Sequence, residues 1–257
     1  MKRILLASTA LAFLAGPALA ADLPARTPAP APQAFAAPPV FTWTGFYAGA
    51  NIGWTQNEVR ASNRGFAGTG GAGAYPNFSA TSNGFIGGLQ AGYNQQFDMF
   101  VAGVEADINF LGNRRTTGNA AVAGLGGVTG VSASSRLDWL GTVRARAGVA
   151  FDRVFFYGTG GLAFGAPDQR LTLSGPTGTT HRGTSSSTRL GWTVGAGAEF
   201  AVMDNLTLKA EYLYYDLGRN NVTATRTAGS AAPVGTSNTA RFENKGHIGR
   251  VGMNYRF

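Results

Sequence analysis

Cysteine is absent from the 257-residue chain, which excludes disulfide scaffolds, thiolate metal sites and cysteine nucleophiles together. His181 and His247 are its only two histidines, too few for a multi-histidine metal centre. Charged residues make up 13%, about half the ~25% of an ordinary soluble domain. Beyond the first twenty residues no run approaches the roughly 18 consecutive apolar residues of a membrane helix. What the chain does have is glycine, 38 residues of it, with 44% apolar and 11% aromatic residues. That is far too apolar for a solvated coil.

The first residues read as a targeting signal. Lys2 and Arg3 precede an apolar stretch from Ile4 to Leu14, and Ala18-Leu19-Ala20 is an A-x-A cleavage site. A Pro/Ala-rich stretch follows (PARTPAPAPQAFAAPP), extended in character. The expected organisation is a signal peptide over 1–20, cleaved after Ala20, a leader over 21–42 and a single domain over 43–257.

From Trp43 onward the apolar period is two rather than 3.6, the mark of strands with one apolar face. Eight segments show it. The first sets Phe46, Ala48, Ala50, Ile52 and Trp54 against Gly45, Tyr47, Gly49, Asn51 and Gly53. The third sets Val104, Ala106, Ile108 and Phe110 against Glu105, Asp107 and Asn109. The fourth sets Leu137, Trp139, Val143, Ala145 and Ala147 against Asp138, Thr142, Arg144 and Arg146. The eighth closes the chain with Val251, Met253, Tyr255 and Phe257 opposite Arg250, Asn254 and Arg256.

The connections alternate in length. Asp98-Met99, Asp152-Arg153 and Val202 to Asn205 are tight turns. Thr55 to Ser82, Gly112 to Ser135, Gly165 to Ser187 and Gly218 to Ala240 are long loops of 28, 24, 23 and 23 residues, read as structureless. Short turns at one end and long loops at the other, between strands of about ten residues, form the pattern of an outer-membrane barrel. The predicted fold is all-β, an eight-stranded antiparallel up-and-down transmembrane β-barrel with its tight turns in the periplasm. A soluble antiparallel barrel is the alternative, but it would bury its apolar row and expose its charges.

Energetic cost decides which row meets lipid. A Lys or Arg facing the membrane midplane costs roughly 2–4 kcal/mol. Glu105, Asp107, Arg144, Arg146, Glu199, Lys209, Glu211 and Arg250 all fall on the Gly/polar row. A register slip of one residue would expose every one of them, so they point inward. An eight-stranded barrel is just wide enough for side chains to fill it, and buried charges persist when paired. These residues are therefore expected to form a lumen charge network that plugs the barrel. A pore lined by the same charges is the competing reading.

Three stretches carry a resemblance to a known family: the opening Trp43 to Trp54 (WTGFYAGANIGW), Lys209 to Gly218 (KAEYLYYDLG) and the ending Arg250 to Phe257 (RVGMNYRF). The chain resembles the small outer-membrane barrel proteins of alphaproteobacteria, the porin-family or OmpA-like, opacity-type barrels. The resemblance implies a Gram-negative outer-membrane location, a structural surface role and, for some members, host interaction or haem binding. It also implies that Phe257 acts as a signal to the outer-membrane assembly machinery, and it brings no catalytic residues and no cofactor.

Motifs for chemistry are weak. Gly68 to Gly73 fits G-x-G-x-x-G by letter but lies in a Gly-rich loop with no helix after it. Some outer-membrane barrels modify lipid A with Ser and His, so a lipid A enzyme is a further alternative. His181 is read as a loop residue and His247 as a rim residue facing outward, with no spacing that joins them to a carboxylate as a triad needs. Nucleic acid is excluded as a partner, since the loops lack aromatics to stack on bases. The loops do hold the charge excess: Arg60, Arg64, Arg114, Arg115, Arg170, Arg182, Arg219 and Arg226 against Glu58 and Asp168. Arginine grips phosphate bidentately, so Arg114 and Arg115 are candidate contacts for lipopolysaccharide phosphates. A host or surface ligand that is anionic, such as haem, is the other partner they fit, and solvated charges without a ligand remain the plain alternative.

Overall fold

Alternating rows and tight turns led by Asp set the architecture, described here from a computed structural model. It describes residues 41–66, 77–112, 116–125, 128–176, 178–226 and 237–257. In chain order the strands are β1 (Gly45–Phe66), β2 (Phe78–Phe97), β3 (Phe100–Leu111), β4 (Thr116–Leu125) and β5 (Val128–Phe151). They continue as β6 (Val154–Gly175), β7 (Gly178–Ser186), β8 (Arg189–Met203), β9 (Leu206–Arg226) and β10 (Ser237–Arg256).

Every pairing is antiparallel. β3 and β4 pair with successive parts of β5, and β7 and β8 pair with successive parts of β6, so each couple makes one interrupted stave. Eight staves result, and β1 closes the ring against β10 along most of its length. Asp98 and Asp152 open two-residue turns at φ of 51° and 50°, a left-handed conformation that short polar side chains tolerate. The third turn is shorter than the sequence reading. β8 runs to Met203, leaving Asp204-Asn205 as the turn, with a register shift between Ala201 and Met203.

The long connections are corrected more deeply: they are not structureless. β1 has 22 residues, β5 has 24 and β9 has 21, whereas about ten tilted residues cross an outer membrane. The staves therefore carry on past the apolar belt, and the four expected loops are largely strand.

Outside, the apolar rows form that belt: Ile52, Phe85 and Leu89 are 69%, 72% and 64% exposed. Leu137 departs from its expected place. Between Leu137 and Leu140, β5 carries one residue more than its partner β6, and such a bulge reverses the alternation. Leu137 is consequently buried inside the ring.

The interior is filled in layers. At the tight-turn end Trp43, Val101, Ala150, Phe155, Tyr157 and Ala201 cluster, with Phe41 against them. Phe41 and Thr42, assigned to the leader in sequence, thus take part in the barrel, and Thr42 bonds Gln96. A polar layer comes next. Above it lies a second apolar cluster including Leu140, Leu213, Tyr215 and Ile248, and the far end holds a third built on Val59, Leu171, Leu173, Val222 and Phe242.

Candidate functional site: the polar layer of the lumen

Inward positions on five staves place Glu105, Asp107, Arg144, Arg146, Glu199, Lys209, Glu211 and Arg250 in one layer, each buried. Glu105 is the hub. It receives Arg144 Nη2 at 2.5 Å, Lys209 Nζ at 2.8 Å and Arg146 Nη1 at 3.0 Å, with Arg250 Nη2 at 3.5 Å. Glu211 takes Arg144 Nη1 at 3.0 Å and Arg250 Nη2 at 2.5 Å. Asp107 takes Arg144 and Arg250 at 2.9 and 3.1 Å, and Glu199 takes Arg146 Nη2 at 2.6 Å. Four carboxylates thus meet four cations with no formal charge left over.

Neutral groups complete the layer. The Tyr47 hydroxyl donates to Glu105 at 2.8 Å and the Tyr157 hydroxyl to Glu211 at 3.0 Å. Thr142 donates to Asp107, and Thr207 and Asn254 donate to Glu199. The Arg146 guanidinium also lies over the rings of Tyr47, Phe155 and Tyr157, 4.5 to 5.1 Å from their centroids. Such stacking suits the planar, weakly hydrated Arg head. These tyrosines were missed in the sequence. Their signal was an aromatic on a polar row facing a glycine: a Cβ on Gly92 would stand 2.3 Å from the Tyr47 oxygen, so only a glycine lets the ring lie across the sheet.

Chemically the layer is a structural lock. Each carboxylate is held by cations of other strands, and removal of one partner strands a charge in a low-dielectric interior.

The remaining predicted residues scatter. Phe257 lies at the tight-turn end, 81% exposed, its N–H bonded to the Phe46 carbonyl at 3.0 Å. Arg114 and Arg115 lie outside the described residues, as do Gly68 to Gly73 and the signal segment. Other arginines of the expected loops have near neighbours: Arg60 meets Glu58 at 2.7 Å, Arg170 meets Asp168 at 3.4 Å and Arg219 meets Glu243 at 2.6 Å. The Glu58 hydrogen bond raises the Arg60 pKa. His181 is not a loop residue. It sits in β7 and is wholly buried, whereas His247 faces outward with the Tyr212 hydroxyl at 2.6 Å from its Nδ1. The two histidines belong to different surfaces of the barrel wall.

Comparison with known proteins bears on this architecture. The family model described as outer membrane protein beta-barrel domain matches residues 7–257. The 31 kDa outer-membrane immunogenic protein of Brucella melitensis is 39% identical over 100% of both chains. The 25 kDa outer-membrane immunogenic protein of the same species is 27% identical over 100% of this chain and 99% of its own. A 22 kDa outer membrane protein of Rhizobium leguminosarum is 32% identical, covering 69% of this chain and 66% of that protein.

Proposed function

The chain belongs to the outer membrane protein beta-barrel domain family, and from that premise we propose a structural and interaction role: a closed barrel that carries a folded extension at the cell surface. The protein resides in the outer membrane of a Gram-negative bacterium, so lipid and lipopolysaccharide are its surroundings. One observation carries the reading. The lumen is filled by a mutually neutralised charge layer between two apolar clusters, and each of the three would have to open before water could cross. The tight turns face the periplasm on this reading, supported by the asymmetry of the connections. The extension beyond the belt then faces outside, which fits the immunogenic label of the Brucella relatives. Phe257 is the residue read by the assembly machinery, and Arg114 and Arg115 are contacts for surface anions.

Planar-bilayer recording of the refolded barrel tests the closed state: no steady conductance is expected, and a stable unitary conductance would establish the channel reading instead. Orientation is tested separately by labelling intact cells with a thiol probe at Asn119→Cys and Asp204→Cys. Labelling at position 119 alone is expected; labelling at 204 alone would invert the barrel.

A further inference from the structure

The outer surface of β8, β9, β10 and β1 is not an even apolar wall. Ala198 of β8 pairs with Ala210 of β9, and Ala210 pairs with Val251 of β10. Gly249 continues this floor toward the far end, and a Cβ there would meet nothing within 4 Å. Ile52 and Val251 flank one side, and Phe156 and Phe200 flank the other. The result is a continuous apolar groove in two overlapping stretches of about 740 and 840 Å³, each within the size range of small-molecule sites.

The upper end of the groove changes chemistry within four residues. Along β10 the outward positions after Gly249 are His247 and Lys245, and beside them on β9 are Tyr212, Tyr214 and Asp216. Trp192 of β8 packs on Tyr214 at 5.4 Å. Above this aromatic rim two rows of charge cross the strands: Glu58, Lys245, Asp216, and then Arg60, Glu243, Arg219. The rows are neutral in sum but not in exposure. Arg219 and Lys245 side chains are 65% and 32% exposed, while their carboxylate partners Glu243 and Asp216 are 19% and 18% exposed. Glu243 and Asp216 lie inboard and steady Arg219 and Lys245, whereas Glu58 is 35% exposed beside Arg60 at 60%. A bulge at Gly218, φ 71°, turns Arg219 to this side. Trp192, Arg219 and Lys245 then line a recess of about 370 Å³.

We propose that this face seats one lipid A unit of outer-leaflet lipopolysaccharide. Its acyl chains occupy the Ala/Gly-floored groove, where small residues admit close packing. A headgroup phosphate takes the exposed donors of Arg219 and Lys245, the charge-assisted geometry suited to that anion. Recess and groove lie about 13 Å apart along the strands, so one amphipathic molecule spans both. In the cell the seat rests on the orientation proposed above.

Native mass spectrometry of the barrel folded in detergent tests the seat with bisphosphorylated lipid A, dephosphorylated lipid A and phosphatidylglycerol. Heat-modifiable gel migration verifies folding of every variant. One bound lipid A per barrel is expected, with retention roughly tenfold lower without the phosphates or in Arg219→Ala/Lys245→Ala, the scale of one lost charge-assisted pair. Gly249→Phe and the milder Ala210→Val should also lower retention by filling the groove, and Val143→Phe on another wall should leave it unchanged. Equal retention of lipid A and phosphatidylglycerol, or wild-type binding by both the double variant and the groove variants, would overturn the proposal. Binding in micelles does not depend on which end faces out, so failure here and failure of the intact-cell labelling are distinct results.

Discussion

Within β1 the two halves of the barrel wall can be compared on a single strand. In the first half the outward row is Phe46, Ile52 and Trp54, and the inward row holds Tyr47, Asn51 and Thr55. In the second half the same outward row becomes Gln56, Glu58 and Arg60, and the same inward row becomes Asn57, Val59 and Ala61. No residue is inserted between them, since Gly45 to Ala61 pairs with β2 in unbroken register. Side-chain direction is thus constant while polarity reverses. The first half is built for lipid outside and a polar lumen, the second for water outside and an apolar core of the ordinary kind. One backbone therefore serves two solvents, and the aromatic rim around Trp54 marks the boundary.

The largest way to break the comparison is to remove a charge from the first half's interior. Arg144→Ala should destabilise the barrel by about 3–5 kcal/mol, since Glu105, Asp107 and Glu211 all lose a partner. Urea unfolding of the refolded protein measures it. In the second half the equivalent damage comes from an apolar deletion: Leu171→Ala should cost about 2–5 kcal/mol by opening a cavity in the far cluster. If Leu171→Ala proves silent while Arg144→Ala is severe, the extension is not a cooperative part of the fold.

The outward row gives a sharper contrast. Ile52→Arg places a cation in the lipid belt and should cost roughly 2–4 kcal/mol in vesicles, whereas Gln56→Arg, four residues on, should cost under about 1 kcal/mol. Equal costs would mean that the boundary is not at Trp54. The smallest effect belongs to the exposed Arg219–Glu243 pair. Arg219→Ala should shift stability by less than about 1 kcal/mol, and added salt should erase the difference.

Much of the barrel was legible because strand alternation is local. The row Val104, Ala106, Ile108 against Glu105 and Asp107 announces its two faces without reference to any other segment. The extension was less legible, although its signal is present in opposite phase: Leu171 and Leu173 around Thr172, or Val222 and Ala224 around Thr223. Those rows are short, mix with glycine and polar residues, and read as loop when an apolar outer face is the template. Leu137 and His181 were misplaced for a related reason. The bulge that turns Leu137 inward and the pairing that buries His181 depend on neighbouring strands, which a single row does not reveal.

By itself the sequence determined the faces of the rows in the lipid belt, the eight staves, the two turns at Asp98 and Asp152 and the inward direction of all eight charges, because each follows from a two-residue period and the cost of exposing charge to lipid. Only the tertiary structure decided which carboxylate meets which cation, that Glu105 serves four of them, that Tyr47 and Tyr157 lie across glycines, and that Trp43 fills the tight-turn end. Those pairings join residues up to 145 positions apart in the chain. They are set by the stagger and closure of the ring, a property that no strand carries alone.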